Sequence, residues 1–413
     1  MVDQKIKEWV QLALKDEDIH DFSVITNGTT DKADGYLGDI FFITAAGKTK
    51  NGKNETIDLV IKASKDSITL REQTPVRESF EKEIFIYDRV LPSFKKLQEE
   101  KGASGLLDYI PLCYATKVVD NSEILVLEDL KSQNYSTCDK KKAMTFEHVE
   151  LVLQAYGKWH AFSFALRKEK PELFAELTKN NVNMLCYWFE TTKMIDLLLD
   201  IFEKARDGCI SSDNEEILNA VNFSINDANY IFKGLFDEDP DYRIISHGDC
   251  WNGNFMFKYD NDNLKPVGVQ VLDWQCAGLS SPVMDLSHFL YACCNTGEHK
   301  DISEMLKIYY DSFSKCLESL HLVPEELFSY AKLVEHWKRF SQYGILLQGF
   351  ALKFTLCDPN DAPDFVEAAE GGKEFLDNFN IEISNKEVFY KRVKDNLLHY
   401  VKSLKLSETV GVI

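Results

Sequence analysis

The chain has 413 residues, 45% of them hydrophobic and 12% aromatic, and a formal net charge of −20. That length exceeds one small core and sets an expectation of two or three domains. The acidity argues against nucleic-acid backbones and anionic membranes as partners, because both repel a negatively charged surface.

The N-terminus places Val2, Ile6, Trp9, Val10, Leu12 and Leu14 mostly at helical spacing among charges. This predicts an amphipathic helix packed on the body rather than a signal peptide, which would need an unbroken apolar stretch. Strands are expected at 22–26 (FSVIT), 39–45 (DIFFITA) and 56–63 (TIDLVIKA), with a loop holding Gly28, Gly35 and Gly38 after the first and a polar turn at 48–54. Residues 77–90 carry Phe80, Ile84, Tyr87 and Val90 at three- and four-residue spacing, predicting a helix stopped by Pro92. Two more strands follow at 114–119 and 123–128, giving the order β-β-β-α-β-β. After Asp129-Leu130 the texture becomes helical, starting from a helix capped by Thr145.

A predicted hairpin interrupts the helical part. Residues 255–259 (FMFKY) and 267–272 (VGVQVL) are its strands, joined by turn-formers at 260–266. Helices resume from Asp285. The expected fold class is α+β and two-lobed: residues 1–130 form a small lobe with a five-stranded antiparallel sheet and one main helix, and residues 131–413 form a larger, mainly helical lobe carrying the hairpin. No run approaches 18 apolar residues, so no membrane span is expected. The ten Cys are scattered without a C-x-x-C, which fits reduced thiols in a cytoplasmic protein. No heptad seam is evident, and a monomer is expected.

The chemistry concentrates around the hairpin. Ser246-His247-Gly248-Asp249-Cys250-Trp251-Asn252-Gly253-Asn254 leads into its first strand, and Val271-Leu272-Asp273-Trp274 closes the second. In an antiparallel pair those two ends are neighbours, so Asn254 and Asp273 flank one mouth with Asp249 on the loop beside it. Two oxygen ligands and a loop carboxylate suit Mg²⁺ on the phosphates of ATP, with Asp249 deprotonating a hydroxyl nucleophile. Asn252 competes with Asn254 at this stage. Lys62, ending the alternating strand LVIK, is placed to reach the α/β-phosphates, and Glu83 continues the Phe80–Tyr87 stripe best as its carboxylate partner, with Glu78 and Glu81 as rivals. Gly35 and Gly38 offer a loop whose N–H groups would cover phosphates. His247 and His160 read as packed histidines, and Asp285 as a buried brace for the catalytic loop.

HGDCWNGN followed by VLDW, with the strand Lys and helix Glu, resembles the protein-kinase-like fold of aminoglycoside phosphotransferases and choline kinases. Within that group the chain resembles the insect ecdysteroid kinase-like family. The stretches Gly35-Tyr36-Leu37-Gly38, Phe80-Glu81-Lys82-Glu83-Ile84, Leu127-Glu128-Asp129-Leu130, Trp159-His160-Ala161 and Gly278-Leu279-Ser280-Ser281-Pro282 through to Asp285 support it. The resemblance implies that Asp249 is the catalytic base, Asn254 and Asp273 bind metal, and Lys62 with Glu83 position phosphates. It also implies that Glu128 to Leu130 form a hinge whose backbone meets adenine. Gly248 stands where many protein kinases have Arg, and the glycine loop lacks G-x-G-x-x-G.

The implied activity is phosphate transfer from ATP to an alcohol, with a steroid-like substrate, an ecdysteroid foremost. A choline- or amino-alcohol-type kinase and a non-catalytic kinase-like ligand-binding protein are the alternatives. Tyr187, Trp188, Phe189, Trp274, Phe289, Phe350 and Phe354 supply aromatic material for such a pocket, most of it expected in the core.

Overall fold

The computed structural model of the chain describes residues 2–29, 36–119, 121–179, 183–212, 214–260, 262, 265–297, 301–358 and 362–406. Gly35 of the predicted glycine loop lies outside the described residues.

The N-terminal part holds β1 (His20–Thr29), β2 (Gly38–Lys48), β3 (Asn54–Ser64), β4 (Cys113–Lys117) and β5 (Ile124–Glu128). They form a five-stranded antiparallel sheet in the order β1-β2-β3-β5-β4. Period-two alternation splits its residues between two cores. Ile43, Ala45, Leu59, Ile61, Ile124 and Val126 pack under the N-terminal helix α1 (Val2–Ala13) with its Ile6 and Val10. Leu125 and Leu127 face the other way, into the main core with Phe80 and Ile84 of the Val76–Phe85 helix. Leu12 of α1 is turned outward, off the buried stripe.

Pro92 does not stop that helix as the sequence suggested. The Val76–Phe85 helix passes through a π-helical turn, Ile86–Val90, and continues as Leu91–Glu100. A proline in a regular helix clashes with the carbonyl four residues back; the wider turn, in which Leu91 N–H reaches Ile86 O, makes room for its ring.

The rest of the chain is mostly helical, as expected. The 24-residue helix Phe146–Glu169 is buried along most of its length and packs on Ile302–Ser319. Thr145 does precede it, but its hydroxyl bonds Glu147 Oε2 (2.7 Å) and His148 Nδ1 (2.8 Å) rather than a backbone N–H. Three short strands had no sequence signal. Strand β6 (Tyr135–Thr137) adds to the predicted hairpin of β8 (Phe255–Tyr259) and β9 (Pro266–Val271), while β7 (Ile244–Ser246) pairs with β10 (Gly278–Ser280). Hairpin register Phe255↔Val271, extended by Leu272 N–H to Asn254 O at 2.9 Å, brings Asn254 and Asp273 to one mouth. Among the described residues no helix is long and apolar enough to cross a membrane.

Candidate active site

Alternation along β3 decides where Lys62 goes. Ile61 and Ala63 belong to the core under α1, so Val60 and Lys62 project from the opposite face, beside Ile40 and Phe42 of β2. That face roofs a cavity of about 260 Å³ whose floor is the hairpin mouth. Lys62, Glu83, Asp249, Asn254 and Asp273 all line it, joined by Gly38, Glu128 and Leu130. Asn252 is fully buried, lines no part of it, and leaves both side-chain polar atoms unbonded.

Lys62 Nζ bonds Glu83 Oε2 at 2.6 Å and Asp273 Oδ1 at 2.7 Å, tying the sheet, the helix and the hairpin together at one ammonium. Burial alone would lower its pKa, but the two carboxylates overcome that and raise it, so Lys62 is a fixed cation. Glu83 is 1% exposed and packs against the turn after Asp273, which settles the choice among the three glutamates by geometry. Gly38 is small for a packing reason: a Cβ would stand 2.7 Å from the Phe80 ring.

Asp249 sits on a loop held from behind. Asp285 accepts the N–H groups of His247 (2.8 Å) and Gly248 (3.0 Å), and His160 donates to it at 3.2 Å. Burial would raise the Asp285 carboxyl, but these donors hold it below the usual range. His247 accepts from Tyr156 OH at Nδ1 (3.0 Å) and reaches Leu272 O with Nε2 (2.9 Å), linking the loop to the end of β9. The brace and both packed histidines are where the sequence suggested. Gly248 is required by shape: its φ is 84° and a Cβ would meet Cys276 O at 2.2 Å. Gly248→Ala is therefore expected to cost at least about 2 kcal/mol of stability, read as a lower urea midpoint.

The Asn254 amide nitrogen donates to Asp249 O (2.9 Å) and Oδ2 (2.7 Å). With both acceptors on the nitrogen side, Asn254 Oδ1 is turned away, and among the described residues neither it nor Asp273 Oδ2 accepts a hydrogen bond. Two hard oxygens at one mouth, without thiolate or imidazole, fit a cation that takes its other ligands from phosphate and water. Asp273 occupies the left-handed region, φ 63° and ψ 73°, which aims its carboxylate back at the mouth. Burial, with repulsion from Asp273, pushes the Asp249 carboxyl up to about 7.

At the hinge, Leu112 O and Asp58 O take the N–H groups of Glu128 (3.0 Å) and Asp129 (3.1 Å). Leu130, which follows them and lines the cavity, has no hydrogen bond from its N–H to a described residue. The Glu128 carboxylate is spent on Leu112 N–H and Gln133.

A second cavity, about 150 Å³, opens on the other side of Asp249 and shares Tyr36, Leu37, Trp251 and Gln275 with the first. Trp188, Phe189, Phe350 and Phe354 of the nominated aromatics line it. Phe289 and Trp274 are instead wholly in the core, Trp274 against Trp159 at 4.2 Å, and Tyr187 faces outward. Sequence reasoning missed His288, which also borders this cavity and accepts Cys250 N–H at Nδ1 (3.4 Å). Its signal was its place one helical turn after Asp285.

The ecdysteroid kinase-like family matches the chain over residues 32–322. Among solved structures the chain is similar to the GDP complex of a mutant aminoglycoside 2′-phosphotransferase, at 12% identity and a TM-score of 0.38 over 96% of each chain. A comparison with curated protein sequences found no match.

Proposed function

We propose that this chain, which belongs to the ecdysteroid kinase-like family, transfers the γ-phosphate of ATP to a hydroxyl of a neutral, lipophilic alcohol, foremost a steroid. The observation that carries the reading is the position of Asp249, which borders the cavity holding Lys62, Asn254 and Asp273 on one side and a second, aromatic-lined one on the other. Such a carboxylate touches both the phosphate end of one ligand and the hydroxyl of another.

Asn254 Oδ1 and Asp273 would hold Mg²⁺, which when bound neutralises charge on the nucleotide phosphates. Lys62, fixed by Glu83, would pair with the α/β-phosphates, and the Leu130 N–H would meet the base. Asp249 orients the acceptor hydroxyl and takes its proton as the oxygen bonds to the γ-phosphorus. The bond from that phosphorus to the bridging oxygen breaks, and ADP carries the electron pair away. The lining supports a neutral acceptor over choline-like cations: among the described residues Asp249 is the one carboxylate bordering the apolar cavity, and it is committed to the hydroxyl. The complete polar set argues against a binding protein without turnover. The cytoplasm is the proposed location.

An ADP-release screen over ecdysteroids, other lipophilic alcohols and cationic amino alcohols, with mass analysis of products, tests the reading. A product heavier by one phosphoryl group from a neutral lipophilic alcohol is expected. Turnover of amino alcohols alone would replace it with the choline-kinase alternative, and ligand binding without ADP release would favour the non-catalytic one. Chelation of divalent metal should abolish turnover, and excess Mg²⁺ should restore it; full activity in chelator would remove Asn254 and Asp273 from the role given them.

A further inference from the structure

The helix Pro282–Cys293 touches the catalytic loop twice. Asp285 holds the N–H groups before Asp249, and His288, on the same helical face, holds the Cys250 N–H after it. Asp285 is fully engaged by that task. His288 holds that N–H with Nδ1 and also borders the apolar cavity beside Asp249. A donor on Nδ1 assigns the single proton of a neutral imidazole to Nε2. Burial pushes the ring down to about 4, so it is neutral at physiological pH. With Nδ1 on the Cys250 N–H, Nε2 belongs to a ring that borders a cavity lined by Trp188, Phe350, Phe354 and Gln275.

We propose that His288 is an acceptor-binding residue whose Nε2–H donates to a second oxygen of the substrate, fixing which hydroxyl reaches Asp249. This rests on reading the apolar cavity as the acceptor site. It narrows the substrate class to lipophilic alcohols with another hydroxyl or carbonyl oxygen near the reacting one. A buried donor left without a partner penalises a substrate lacking that oxygen, so discrimination against monohydroxy sterols follows.

The two ring nitrogens can be tested separately. Asn at 288 can reproduce the Nδ1 acceptor but not the distal donor, and Gln can reproduce the distal donor but not the loop contact. With an ecdysteroid as probe, His288→Asn should raise the acceptor KM roughly threefold to tenfold with kcat and nucleotide affinity little changed, and His288→Gln should keep the KM near wild type. A purely structural histidine would give the reverse, a silent Asn variant and a damaged Gln variant. Nitrogen NMR of histidine-labelled wild-type protein decides the point without turnover. The Gly248 carbonyl also lies beside the ring, so an Nδ1–H tautomer has somewhere to donate, and finding it would overturn the proposal. The Nε2–H tautomer combined with no phosphorylation of any alcohol would sink the kinase reading instead.

Discussion

Asp249→Asn should lower turnover by about a thousandfold or more while leaving nucleotide affinity within a few fold of wild type. General-base catalysis contributes roughly 10²- to 10⁴-fold, and an amide cannot take the proton of the attacking hydroxyl. The substitution is nearly isosteric and removes a buried carboxylate facing Asp273, whose repulsion helps push the Asp249 carboxyl up to about 7. The loop itself hangs on backbone bonds to Asp285 and His288, not on the Asp249 carboxylate, so the fold should persist. One side-chain contact changes character: Asn254 Nδ2 loses a charged acceptor at 2.7 Å but keeps Asp249 O at 2.9 Å. Stopped-flow or steady-state ADP release against calorimetric nucleotide binding separates the two effects. An Asn variant that turns over at the wild-type rate would remove Asp249 from the chemistry.

Asp273→Asn should act on the other arm, weakening Mg²⁺-dependent nucleotide binding by roughly a hundredfold or more. Losing a charged ligand that the bound nucleotide would desolvate costs about 2–5 kcal/mol, and each 1.4 kcal/mol is tenfold in affinity. Asn is chosen over Ala because residue 273 sits at φ 63°, a conformation that Asn tolerates. Lys62 would retain Glu83 at 2.6 Å, so the sheet and helix should stay in place, and binding of metal-free nucleotide should change much less than binding of the metal complex. Equal losses with and without Mg²⁺ would mean that Asp273 serves Lys62 rather than the metal.

Much of this site was legible because short-range periodicity controls it. Alternation in LVIK places Lys62 away from the core side of β3, and hairpin register places Asn254 next to Asp273; both follow from residues a few positions apart. The position of Glu83 needed the structure, because Glu78, Glu81 and Glu83 differ in facing by rotations that a π-helical turn downstream obscures. That turn was itself invisible: one extra residue per turn over Ile86–Val90 leaves the apolar spacing nearly unchanged. The β7–β10 pair joins three-residue strands distant in sequence, too short to carry a periodic signal. Composition cannot sort aromatics into pocket and core, since Trp188 and Trp274 look alike in sequence and only tertiary packing separates them. The second cavity and His288 emerge at that same level.

The most direct test is the location of a divalent ion in a crystal of the chain with an ATP analogue and Mn²⁺ in place of Mg²⁺, read from anomalous scattering. The account predicts one ion bonded to Asn254 Oδ1, an Asp273 oxygen and the nucleotide phosphates, with the Asp249 carboxylate facing the γ-phosphorus from the apolar side. An ion bound elsewhere, or a γ-phosphate turned away from Asp249, would contradict it.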